Sequence, residues 1–229
     1  MCSDVSPIYS FLPSASGTVI SKNWVHDTKA QWNLLGIRGD DKTRNLTIEY
    51  NTVWSCGTVA IVAKGEGNTV RHNTCINNSR VNMTSRPFPR DIEMASSFNF
   101  RDPTLPAQGV GDVCANNLME HFVTGDMVQG TLPAGTLFGN YQSPGARHLL
   151  RCPPMDPVAD GSTQPADCSR GSLLDFRPRA GSVLVGSSTL AGGQGGDGPD
   201  IGMHARVVVW SATMSDVSTV VWPCGVCKR

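Results

Sequence analysis

Three stretches of this chain can be laid over one another without a gap: ThrValIleSerLysAsn (18–23), LeuThrIleGluTyrAsn (46–51) and AsnThrValArgHisAsn (68–73). Each puts a branched apolar residue (Ile20, Ile48, Val70) three positions before an Asn, and the Asn spacings are 51 − 23 = 28 and 73 − 51 = 22. A short strand recurring at that period cannot bury its apolar face alone and must stack on a copy of itself. Stacking about 4.8 Å apart puts Asn23, Asn51 and Asn73 in one column, where their amides can hydrogen-bond as a ladder. Asn also suits the left-handed backbone of a tight corner. Weaker echoes with the same offset run from Val113 to Asn116 and from Leu137 to Asn140.

Aligned on their Asn, the repeats separate an inner from an outer face, because side chains alternate along a strand. Ile20, Ile48 and Val70 form one inner column and Val25, Val53 and Cys75 another. A further strand aligns Leu35 with Val59 and Ile37 with Ile61. On the outer face the alignment predicts Glu49 beside Arg71, Tyr50 beside His72, Asp40 beside Lys64 and Lys42 beside Glu66. Opposite charges so placed contribute about 0.2 to 1 kcal/mol each, which is reason enough for their presence.

Length and composition agree with an all-β chain. The 229 residues carry 24 Gly and 15 Pro, which suits short strands and turns, and no segment reads as an amphipathic helix. Formal net charge is zero, so nothing pulls the chain toward nucleic acid, and no apolar run is long enough for a membrane span. The amino terminus lacks the pattern of a signal peptide. Three sequons, at Asn45, Asn77 and Asn82, and eight cysteines nevertheless point to a secreted or cell-surface glycoprotein. The two observations reconcile if the chain is the carboxyl-terminal portion of a longer one.

The period breaks from Arg80 to Ala107, where ThrSerArgProPheProArg brings two prolines and the cations Arg86 and Arg90. This segment is expected to leave the stack as a long loop, the kind of place where binding surfaces form. A second irregular region, 151–170, is bracketed by Cys152 and Cys168 and is expected to close as a disulfide loop. The Gly-rich run 191–199 lacks the GlyLysSer/Thr ending of a phosphate loop. TrpProCysGlyValCys, which holds Cys224 and Cys227, stands too near the terminus for a thioredoxin-like βαβ unit and reads as a local disulfide or an unstructured tail. ValValValTrp (207–210) and ThrValValTrp (219–222) are apolar enough for strands.

The segments 23–28, 36–40, 45–57 and 68–78, with AspPheArgProArgAlaGlySer (175–182) and ProAspIleGly (199–202), resemble the right-handed parallel β-helix repeat proteins, the pectate-lyase-like superfamily. The resemblance implies an all-β solenoid over 18–145 after a leader or cap remnant at 1–17, with an irregular closing region at 146–229. It also implies a monomer that interacts with a polysaccharide or glycan. Members with chemistry include uronan lyases, polygalacturonases and epimerases; others are adhesins or structural proteins.

A uronan lyase must neutralise a carboxylate, remove the proton α to it and protonate the leaving oxygen, with Ca²⁺ or Arg for the first task and Lys, Arg, His or Tyr for the others. The outer face supplies Lys64, Arg71, His72 and Tyr50 as candidate catalytic groups, and Lys22, Glu49, Arg86 and Arg90 as candidate substrate contacts. Ca²⁺ is the cofactor to expect if the chain is a lyase; no metal-ligand set is legible. The family's calcium-lyase Lys, Arg and Glu pattern does not match this chain, and Asp40-Asp41 lacks the His-Gly and Arg-x-Lys partners of a polygalacturonase. His26-Asp27 reads as a turn cap above Ser55 and Asn77. The reading preferred here is therefore a carbohydrate-interacting β-helix protein without a complete active site, with an active lyase and a purely structural or adhesive fragment as alternatives.

Overall fold

A computed structural model describes residues 6–11, 16–28, 35–78, 90–95, 111–120, 122–124, 137–143, 146–152, 175–179 and 181–184. Its strands come in rounds of three. The first round is β1 (Ile8–Ser10), β2 (Val19–Ser21) and β3 (Trp24–His26), and the second is β4 (Leu35–Arg44), β5 (Thr47–Glu49) and β6 (Thr52–Trp54). The third is β7 (Val59–Glu66), β8 (Thr69–Arg71) and β9 (Thr74–Ile76), and the fourth is β10 (Arg90–Ala95), β11 (Val113–Ala115) and β12 (Leu118–Met119). The fifth is β13 (Phe122–Thr124), β14 (Leu137–Phe138) and β15 (Tyr141–Gln142). Every first strand joins one five-stranded sheet, every second strand another and every third strand another, and all pairings in these three sheets are parallel.

The sequence columns are the register. Ile20 pairs with Ile48 and Ile48 with Val70; Val25 pairs with Val53 and Val53 with Cys75. These residues share one buried cluster with Ile37, Ile61, Ile92, Cys114 and Met119, so all three sheets bury one face on a common core. β-branched residues fit this arrangement because their stiff side chains pack well on a pleated surface.

Asparagine ladders hold the corner between the second and third sheets. Asn23 Nδ2 donates to Asn51 Oδ1 (2.9 Å), Asn51 to Asn73 (3.0 Å), Asn73 to Asn117 (3.0 Å) and Asn117 to Asn140 (2.9 Å). Two expectations need correction here. The fourth rung is Asn117 and not Asn116, because Cys114, and not Val113, pairs with Val70. The left-handed backbone belongs to the residue before each rung: φ is 58° at Lys22, 55° at Tyr50, 52° at His72, 54° at Asn116 and 62° at Gly139. The rung is thereby free to turn its amide inward.

Three further boundaries shift. Residues 8–10, expected in a leader, form β1 and pair with β4. Arg90–Ala95, expected in the loop 80–107, is β10, with Ile92 in register with Ile61 and fully buried. Within the closing region, Leu150–Cys152 (β16) and Asp175–Pro178 (β17) pair antiparallel. Leu150, Phe176, Leu184 and Ala146 pack on Trp54, Ile76 and Leu118, which the third sheet turns outward. The inner column of β4 and β7 also slips at its start: Leu35 and Val59 pair as expected but form a separate cluster with Val62, while Ala60 joins the main core. A Cβ at Gly36 would meet Val53 Cγ1 at 2.6 Å and the Ala60 carbonyl oxygen at 2.5 Å, so this inward approach requires glycine.

Candidate functional site

The second sheet and its corner bring four of the candidates together. Glu49 and Arg71 are adjacent in register, as expected, and Arg71 Nε and Nη2 lie 2.7 and 2.6 Å from Glu49 Oε2. Tyr50 and His72 stack with ring centroids 5.0 Å apart and planes 10° from parallel. Both occupy left-handed corner positions, as does the exposed Lys22 one round earlier. The cation and the carboxylate of this face therefore satisfy each other, and its two rings cover each other.

Lys64 stands elsewhere. It belongs to the first sheet, where it is buried with Nζ 2.8 Å from Asp40 Oδ1 and 3.6 Å from Asp41 Oδ1. Asp40 also accepts from Arg38 Nη2 (2.7 Å) and from the Tyr9 hydroxyl (2.9 Å). Burial alone would push the Asp40 carboxyl up, but the Lys64 hydrogen bond and charge, with Arg38 and Tyr9, hold it below the usual carboxylate range. A base for proton abstraction must reach substrate, and Lys64 Nζ is instead buried against two carboxylates.

The expected Lys42–Glu66 pair is replaced by Arg44–Glu66, with Arg44 Nε 3.5 Å from Glu66 Oε2. The cause is a bulge. Gly39 pairs with Ala63 but Thr43 pairs with Gly65, so β4 fits two extra residues between those points and Lys42 takes a left-handed φ of 63°.

The remaining candidates divide by position. Arg90 opens β10 in the first sheet, whereas Arg86, Asn82, Cys168, Cys224, Cys227, the Gly-rich run and the segments 207–210 and 219–222 lie outside the described residues. Cys152 ends β16. Asn45 is exposed, with Nδ2 3.3 Å from Ser16 Oγ. Asn77 is buried at a corner with φ 54°, its backbone N–H donating to Glu120 Oε2 at 2.7 Å. Cys56, Cys75 and Cys114 are free thiols in the core. Burial pushes Cys56 up to about 11 and Cys114 up to about 12, and raises Cys75 well above its ordinary value.

One cluster was not legible as a site. On β3, the first strand of the third sheet, Trp24 and His26 lie two residues apart on the outer face, and Trp24 is 40% exposed. The His26 ring stacks on Trp54 (4.2 Å, 11°), and its Nδ1 lies 2.9 Å from Asp27 Oδ2. Trp24 packs edge-on against Trp54 and Phe176, with centroids 5.6 and 5.7 Å away. Asp27 is the corner residue expected, with φ 53° shared by Ser55 and 54° at Asn77, but its carboxylate stays exposed and faces His26. Phe176 comes from 122 residues downstream of Trp54 (176 − 54), which no local pattern reveals.

Among the described residues no three His, Cys, Asp or Glu side chains are grouped to hold a metal ion, and no helix is long and apolar enough to cross a membrane. No family model, no curated protein and no solved structure matches the chain.

Proposed function

We propose that this chain is a right-handed parallel β-helix protein, secreted or at a cell surface, that binds a glycan without a complete catalytic site. The three sheets visited in fixed order around one core, with Asn ladders at a corner, support the β-helix reading. The observation that carries the binding reading is the Trp24 ledge. A half-exposed indole offers an apolar surface to the C–H face of a sugar ring, and the His26–Asp27 pair beside it offers hydrogen-bonding groups to hydroxyls. Aromatic packing from Trp54 and Phe176 fixes the ledge before a ligand arrives, which lowers the entropic cost of binding.

The alternative, β-elimination on a uronan with Ca²⁺, has less support. Lys64 is buried between carboxylates on a different sheet, and Arg71 is engaged by Glu49.

The test is a glycan-binding screen of the full chain and Trp24→Ala, with ultraviolet absorbance followed on uronic-acid polymers with and without Ca²⁺. Binding lost in Trp24→Ala without any unsaturated product is the expected result. A Ca²⁺-dependent rise in absorbance would make the chain a lyase, and no glycan retained by either protein would leave a structural β-helix.

A further inference from the structure

At the corner between the first and second sheets one position recurs through three rounds: Leu46, Asn68 and Asp112, which precede the paired residues Thr47, Thr69 and Val113. Leu46 N–H donates to Asn68 Oδ1 at 3.1 Å, and Asn68 N–H donates to Asp112 Oδ1 at 2.8 Å. Asn68 and Asp112 thus do the same job for the preceding round. They differ in the second atom: Asn68 has an Nδ2 to give, 3.5 Å from the Thr43 carbonyl, whereas an ionised Asp112 has nothing to give.

The Asp112 side chain is fully buried, and Oδ2 has no hydrogen-bond partner among the described residues. A carboxylate here would be a buried charge answered by one neutral N–H, which is costly. Among the described residues, the charged groups around the corner are Glu66, which repels a second negative charge, and Arg44, whose Nε sits 3.5 Å from Glu66 and answers that carboxylate. A glycine precedes each of the two residues, with φ 76° at Gly111 and 65° at Gly67, and the two glycines lie against each other, while Asp112 Oδ2 is itself out of contact with solvent.

We propose that Asp112 enters the folded chain as the neutral carboxylic acid, standing in for the amide of the preceding round, and that its corner is a proton-operated clasp which loosens when the acid ionises. The clasp lies at the start of β11, where the chain rejoins the second sheet after β10. Burial pushes the Asp112 carboxyl up to about 7; the Asn68 N–H opposes this and Glu66 adds to it. From an ordinary value of 3.8, the acid takes up a proton on folding across the window between those values. Stability from this group is complete below the lower value and is lost as pH rises toward the upper one, by about tenfold in the folding constant per pH unit inside the window.

The experiment compares urea denaturation of the full chain and Asp112→Asn in steps from mildly acidic to mildly alkaline pH, with ¹³C detection of the Asp112 carboxyl in the folded protein. The variant is neutral at every pH and keeps the acceptor, so its advantage over the parent should grow as pH rises and level off above neutrality, while the carboxyl titrates near neutral pH. Parallel pH profiles for the two proteins, a carboxyl that titrates in the ordinary acid range, or failure of Asp112→Asn to fold would each overturn the proposal.

Discussion

Asn73 donates its side-chain Nδ2 to Asn117 Oδ1 across 3.0 Å although the two are 44 residues apart, twice the 22 that separate Asn73 from Asn51. The ladder is therefore indifferent to how much chain is looped out between rounds. What it requires is that each rung reach the corner in register, and the same Asn73 amide also donates to the carbonyls of Ile48 (2.9 Å) and Arg71 (3.0 Å).

Asn73→Ala should accordingly be among the most damaging single changes in the chain. It strands the Asn51 N–H, which donates to Asn73 Oδ1 at 3.0 Å, and takes one acceptor from Asn51 Nδ2. It also removes the Nδ2 donor from the Ile48 and Arg71 carbonyls and from Asn117 Oδ1, which keeps only the Asn73 backbone N–H among these donors. With about 1 to 3 kcal/mol for a buried group left unsatisfied, the loss should be at least about 3 kcal/mol, read from the urea midpoint. Asn23→Ala, at a partly buried end of the column, should cost clearly less, and equal costs would show that the ladder is not cooperative through its length.

Gly36→Ala tests the slip at the start of the long strands. The added methyl would press on the Ala60 carbonyl and on Val53, both parts of rigid strands, so neither can yield cheaply. A loss of about 1 to 3 kcal/mol is expected from overpacking, seen as a lower thermal midpoint.

Glu49→Gln and Arg71→Ala should, unlike the changes above, each cost little. Their contact is short, but the Arg71 side chain is 48% exposed, and a double-mutant cycle should return a coupling below about 1 kcal/mol that shrinks with added salt. A coupling of several kcal/mol would mean that this pair organises the face rather than decorating it.

The columns Ile20–Ile48–Val70 and Val25–Val53–Cys75, the Glu49–Arg71 and Tyr50–His72 neighbours and the Asn ladder were all legible, because each follows from one repeated spacing and from alternation along a strand. What was not legible depends on events that break spacing. The bulge after Gly39 moved the partner of Glu66 from Lys42 to Arg44, and β10 was hidden because Ile92 is a lone branched apolar residue beside a proline-rich stretch. The Trp24 ledge needs Phe176, which arrives from a hairpin laid across the outside of the third sheet, and a contact of that kind leaves no periodic trace.

The three core thiols give a prediction about chemistry. Cys56, Cys75 and Cys114 are fully buried and their thiols are pushed up by loss of solvation, so the thiolate needed for alkylation is scarce. Native protein treated with iodoacetamide at mildly alkaline pH and mapped by mass spectrometry should leave all three unmodified, and urea should expose them together. Selective labelling of Cys56 alone would show that its corner opens without global unfolding.

The last prediction concerns acid. Asp40 joins Lys64, Arg38 and Tyr9 in one buried network on the first sheet, and its carboxyl is held below its ordinary 3.8 because those partners outweigh the cost of burial. For a carboxyl lowered on folding the sign is the reverse of the Asp112 case: the stabilisation is present above the ordinary value and is lost as pH falls toward the folded value. Asp40→Asn should therefore be destabilised relative to the parent at neutral pH, because it removes the negative charge that Lys64 Nζ meets at 2.8 Å and Arg38 Nη2 at 2.7 Å, and the gap should narrow as pH drops below about 4. Urea midpoints of the two proteins across that range provide the check. A gap that stays constant would mean that Asp40 supports the sheet by packing and hydrogen bonding and that its charge adds nothing.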